Sequence, residues 1–86
     1  MAQVTVRYWA AAKEAAKTAE ETVSADTLAE ALDAVRGKRA GDSRFAAVLA
    51  RSSFLIDGTP AGLHAADTIK LTEKSVVEVL PAFAGG

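Results

Sequence analysis

The two stretches of this chain with the strongest strand patterns stand at its opposite ends, and that separation narrows the folds open to it. Near the start, Val4, Val6 and Tyr8 alternate with Thr5 and Arg7, the two-residue period of a strand with one buried face. Near the end, Val76-Val77-Glu78-Val79-Leu80 is almost continuously apolar and β-branched, the pattern of a strand buried on both sides. Pro81 is expected to stop that strand, because proline has no N–H for the ladder. The two most apolar strands belong side by side at the centre of one sheet. Running parallel, they need a crossover of a dozen or more residues that contains a helix.

The middle of the chain supplies it. Leu28, Ala31, Leu32 and Val35 recur at helical spacing, with Glu30, Asp33 and Arg36 on the other face. Thr27 and Glu30 fit a capping box, Asp26 competes as N-cap, and Gly37 stands where a left-handed residue would close the helix. Ala10 to Lys17 is nearly all alanine with Lys13, Glu14 and Lys17, enough for one or two turns that packing must stabilise. Glu20 to Ser24 reads as a strand returning beside the first. Ala40 to Ser43 reads as a turn, and Arg44 to Arg51, with Phe45, Val48 and Leu49, as a short helix. Phe54 to Ile56 reads as a strand entering the tight turn Asp57-Gly58. Thr59 to Asp67 is expected to be loop, with Leu63 plugging the core, and Thr68 to Thr72 a short extended piece.

That order gives an α+β domain, a mixed sheet with one main amphipathic helix packed on one face, in the β-grasp or ubiquitin-like arrangement. Residues 1–86 are expected to form a single domain, with 82–86 a flexible C-terminal tail. The interior is thin: 20 of 43 apolar residues are alanine. No disulfide or thiolate metal site is available, since the 86 residues include no cysteine. A net charge of -1, the lack of a basic tract and the lack of a long apolar run speak against nucleic acid and membrane partners. The expected location is the cytoplasm.

Catalytic constellations are scarce. There is one histidine, His64, in the expected loop, and Ser24, Ser43, Ser52, Ser53 and Ser75 lack a glycine-flanked elbow. No phosphate-binding glycine motif occurs. The pairs Glu20/Glu21 and Asp26/Glu30 read as a solvated strand edge and a helix N-terminus. What stands out is the end, Pro81-Ala82-Phe83-Ala84-Gly85-Gly86. Two terminal glycines arise by chance in about one chain in 200. Behind a strand and a proline, however, they form a segment without Cβ atoms that can thread a narrow channel.

Three stretches together resemble the sulfur-carrier family that includes the molybdopterin synthase small subunit (MoaD) and the thiamine carrier (ThiS), both ubiquitin-like. They are Val4-Thr5-Val6-Arg7-Tyr8-Trp9-Ala10-Ala11-Ala12-Lys13-Glu14, the helix from Thr27-Leu28 to Val35, and Val76 to Gly86. Proline near the end is similar to the molybdopterin branch. Two positions depart from that branch's usual pattern: Ala82 follows Pro81 where a second proline is usual, and Lys74-Ser75 stands where Gly-Asp is usual.

The resemblance implies a mechanism. An α-carboxylate has a pKa of about 3.3 to 3.7, so Gly86 ends in an anion and a poor electrophile. An E1-like adenylating enzyme using ATP would activate it, and sulfur from a sulfurtransferase would convert it to a thiocarboxylate. The large subunit of molybdopterin synthase would receive that sulfur. In this scheme Gly86 is the reacting group, Gly85 and Ala84 thread the channel, and Pro81 and Leu80 meet the partner together with Phe83, which on the residues alone either anchors that partner or folds back onto the sheet beside Leu80. No cofactor is expected to be bound to the chain itself; ATP belongs to the activating partner. Sulfur supply for thiamine, cysteine or tRNA thiolation, and a ubiquitin-like interaction module without activation, remain open on the residues alone.

Overall fold

Strands β1 (Gln3–Tyr8) and β5 (Val76–Pro81) lie side by side and parallel, with Thr5 opposite Val76 and Tyr8 opposite Val79. The computed structural model describes residues 1–82. Strand β2 (Glu20–Ser24) runs antiparallel along the free edge of β1, and β3 (Ser52–Ile56) runs antiparallel along β5. A further strand, β4 (Thr59–Pro60), completes the order β2-β1-β5-β3-β4. It arises inside the segment expected to be loop. Asp57 and Gly58, at φ 51 and 85, reverse the chain so that Pro60 comes opposite Leu55. The Asp57 carboxylate also accepts the Val76 N–H at 2.8 Å, tying this hairpin to the central strand.

Among the described residues, three α-helices cover one face of the sheet. They are α1 (Ala10–Ala16), α2 (Leu28–Lys38) and α3 (Ser43–Ala50). Leu28, Ala31, Leu32 and Val35 of α2, Phe45 and Leu49 of α3, and Ala12, Ala15 and Ala16 of α1 close over Val4, Val6, Tyr8, Val77 and Val79 in one core. The alanines let the short α1 approach closely enough to share that core. The capping box forms: Thr27 Oγ1 accepts the Glu30 N–H at 3.2 Å, and Glu30 Oε1 accepts the Asp26 N–H at 2.7 Å. Asp26 is thereby free of the helix and accepts the Ala2 N–H at 2.9 Å, docking the start of the chain.

Several expectations need correction. Gly37 does not close α2, which runs through it to Lys38 and ends at Arg39 with φ -124. The Arg39 side chain donates to Val35 O, so this late carbonyl is satisfied without a left-handed backbone. Leu63 does not plug the core. It is fully exposed, because Gly62 at φ 62 turns it outward, and Ala61 is the buried residue there. The last strand is buried on one side only: Val77 and Val79 are inaccessible, while Val76, Glu78 and Leu80 are half-buried on the face opposite the helices. Pro81 does not stop the strand short, since it still stands opposite Ser52, and the Ala82 N–H reaches Arg51 O at 3.3 Å. Its missing N–H faces the β1 side, where the ladder has already ended at Tyr8. The piece from Thr68 to Thr72 makes only one bridge, Lys70 with Thr27, after a 3-10 turn at Ala66–Thr68.

Candidate functional site

The parallel pairing of β1 and β5 decides what surrounds the root of the tail. Val77 and Val79 point to the helices, so Glu78 and Leu80 point to the open face, where Arg7 stands opposite Glu78. On that face β1 adds Thr5, β2 adds Glu20 and Thr22, and β3 adds Ser53 and Leu55. Its charges are few: Arg7 pairs with Glu20 at 3.3 Å. Of the residues expected to meet a partner, Leu80 and Pro81 are half-buried at this end of β5. Phe83, Ala84, Gly85 and Gly86 lie outside the described residues.

Trp9 was not among the expected site residues, yet it belongs to this end of the molecule. It follows Tyr8 directly, so the alternation that sends Tyr8 inward sends Trp9 outward, and it is 46% exposed. Its backbone N–H reaches Val79 O at 3.2 Å, and its indole N–H donates to Glu78 Oε1 at 3.1 Å. The next residue, Ala10, has φ 47, a left-handed conformation that costs a residue with a Cβ about 1–2 kcal/mol. The chain therefore turns abruptly from β1 into α1, with Trp9 held at the corner. The signal was present in the period of the strand.

On the opposite face, Glu21 is not the solvated edge residue that its charge suggested. Val23 points inward, so Glu21, two residues earlier, does the same. It meets Arg39 at 2.7 Å, Lys38 at 3.5 Å and the Tyr8 hydroxyl, which donates to it at 2.5 Å. The Arg39 guanidinium lies 4.6 Å from the Phe45 ring centre and 5.6 Å from that of Tyr8, and it also donates to Ala16 O at 3.2 Å. Burial pushes the Glu21 carboxyl up, but the Tyr8 hydroxyl and the Arg39 and Lys38 charges outweigh it and hold it below its ordinary value. Burial, with the Glu21 carboxylate beside it, drives the Tyr8 phenol well above its ordinary range. Every buried polar side-chain atom among the described residues has a partner. This network ties β2, α1, α2 and α3 together.

His64 is exposed at clefts along β3 and β4, whose linings hold no other histidine and no carboxylate. Among the described residues no cluster of three metal-ligating side chains occurs, and no helix is long and apolar enough to cross a membrane. Among the described residues the candidate site is thus the end of β5 beside a weakly charged sheet face.

Comparison with known proteins agrees with that geometry. The fold is that of the ubiquitin-like sulfur carriers, and the model of the ThiS family matches residues 6–86, through both terminal glycines. The chain belongs to the ThiS family. Among solved structures it is similar to small archaeal modifier protein 1 from Methanosarcina acetivorans, with TM-score 0.81 and 24% identity, covering 100% of this chain and 98% of that one. It is similar to the same modifier from Haloferax volcanii, with TM-score 0.76 and 20% identity over 98% and 99% of the two chains. A chain of the complex of subunits 1 and 2 of molybdopterin-converting factor from Helicobacter pylori 26695 gives TM-score 0.66 and 20% identity over 98% and 99%. No curated protein matches.

Proposed function

We propose that this protein is the small, sulfur-carrying subunit of a molybdopterin synthase, working in the cytoplasm, with the Gly86 carboxylate as its reacting group. The carrying observation is that the family match runs to the terminal Gly85-Gly86. The Gly86 carboxylate attacks the α-phosphate of ATP in an E1-like enzyme and expels pyrophosphate. Sulfide delivered by a sulfurtransferase then displaces AMP and leaves a thiocarboxylate. That sulfur acts as nucleophile in the large subunit, where exclusion of water limits hydrolysis. Gly85 and Ala84 give the tail its narrow profile, and Phe83 joins Leu80 and Pro81 as a partner contact. The tail carries no charged side chain ahead of its carboxylate, which suits passage through a closed channel.

The test is intact mass. Incubation with the activating enzyme of the same organism, ATP and a sulfur donor raises the mass by the difference between sulfur and oxygen, and removal of Gly86 abolishes the change. An unchanged mass under saturating enzyme overturns the reading. A second reading is favoured by the similarity to the archaeal modifier proteins: the same activated carboxylate could be attacked by a protein amine. Covalent adducts that resist thiols and contain Gly86 in amide linkage would select it.

A further inference from the structure

Glu78 is half-buried on the open sheet face and, among the described residues, accepts one side-chain hydrogen bond, from the neutral Trp9 indole at 3.1 Å. Arg7, its neighbour in register, forms its ion pair with Glu20 instead. The face around them is apolar or uncharged: Trp9, Leu80, Leu55, Val76, Thr5 and Ser53. The four residues after Ala82 span at most about 14 Å when fully extended. An enzyme that encloses the Gly86 carboxylate must therefore come down onto this end of the sheet. Covering Glu78 with an apolar surface alone would strand a carboxylate away from water, a cost that excludes such a partner.

We propose that Trp9 and Glu78 form a recognition element read by the activating enzyme, which presents an apolar surface carrying one basic side chain directed at the free oxygen of Glu78. Trp9 supplies contact area and holds the carboxylate in place, and Glu78 supplies the charge that selects the partner. This rests on the sulfur-carrier reading, in which the Gly86 carboxylate is first enclosed by the activating enzyme.

The experiment uses the full chain and the purified ATP-dependent activating enzyme of the same organism, with affinity measured at low and high salt. Trp9 is the chain's single tryptophan, so its fluorescence reports docking directly, alongside calorimetry for variants that lack it. Glu78→Gln keeps an oxygen for the indole N–H and removes the charge. It is expected to weaken binding about tenfold at low salt and to flatten the salt dependence. Trp9→Phe, with the charge retained, should lower affinity while leaving the salt dependence in place. Thermal unfolding of both variants checks that each is folded. Equal affinity and equal salt dependence for Glu78→Gln and the wild type, with adenylate still formed, overturns the recognition element and leaves the carrier reading standing. A wild-type chain that binds the enzyme but gives no adenylate overturns the carrier reading itself. Activation and a salt-sensitive loss at Glu78→Gln together support both.

Discussion

Lys74 stands in the turn before β5 with φ 69, a region that glycine enters freely and lysine does not. Here the chain departs from the Gly-Asp usual in the branch it resembles, and the structure shows what replaces it. Ser75 is buried, and its hydroxyl accepts the Thr72 N–H at 3.0 Å, while its carbonyl accepts the Thr5 N–H at 2.9 Å. The serine does locally what an aspartate side chain does in such turns, and the lysine bears the strain. Lys74→Gly should therefore raise stability by about 0.5–1 kcal/mol, the relief of the left-handed penalty less the added freedom of the unfolded chain; a thermal melt reads it. At this scale legibility was uneven. Thr27, Glu30, Asp57 and Gly58 announce their roles by type and spacing. Glu21 and Trp9 did not, although alternation places both: charge suggested solvent for Glu21, and its partner Arg39 stands at the end of a helix.

Arg39 fastens four elements at one point. It reaches β2 through Glu21, α1 through Ala16 O, α2 through Val35 O and α3 by lying over Phe45. With its side chain only 14% exposed, Arg39→Ala should cost about 2–4 kcal/mol in urea unfolding, because Glu21 is left largely without its counter-charge. Arg39→Lys should recover only part of that, since an ammonium lacks the planar fork and the stacking face. The pH profile follows from the same group of side chains. Glu21 titrates lower in the folded state, so its contribution is complete above the ordinary carboxyl value of 4.5 and is lost as the pH falls through the lower folded value. Tyr8 titrates higher when folded, so its contribution is complete below 10.0 and is lost as the pH rises past that. Glu21→Gln should flatten the acid limb of a stability curve measured by denaturant, and Tyr8→Phe the alkaline limb. The elements themselves were readable wherever a period ran for a whole face, as in β1, α2 and β5. Strand β4 was not, because two residues with a proline carry no period and pair only through the preceding turn.

The whole sheet depends on strands from the two ends of the chain being neighbours, and the core cluster draws on both β1 and β5. A chain ended after Ser75 lacks Val77 and Val79, the inaccessible residues of β5, and should show no cooperative unfolding by circular dichroism. A chain ended after Ala82 keeps the complete core cluster found among the described residues and should melt cooperatively. This much of the architecture followed from two apolar runs and a crossover helix; the tail's surroundings did not, since they depend on which side of β5 each residue takes beside β1 and β3.

That parallel pairing also sets an order of events during synthesis. Strand β1 leaves the ribosome first and can pair with β2, but its other edge stays open until Val76 to Pro81 have emerged. The sheet closes only once the segment leading to the terminal glycines has been translated. A nascent chain that stalls before β5 therefore lacks Val77 and Val79 from its core and is left as a substrate for proteases rather than as a folded domain.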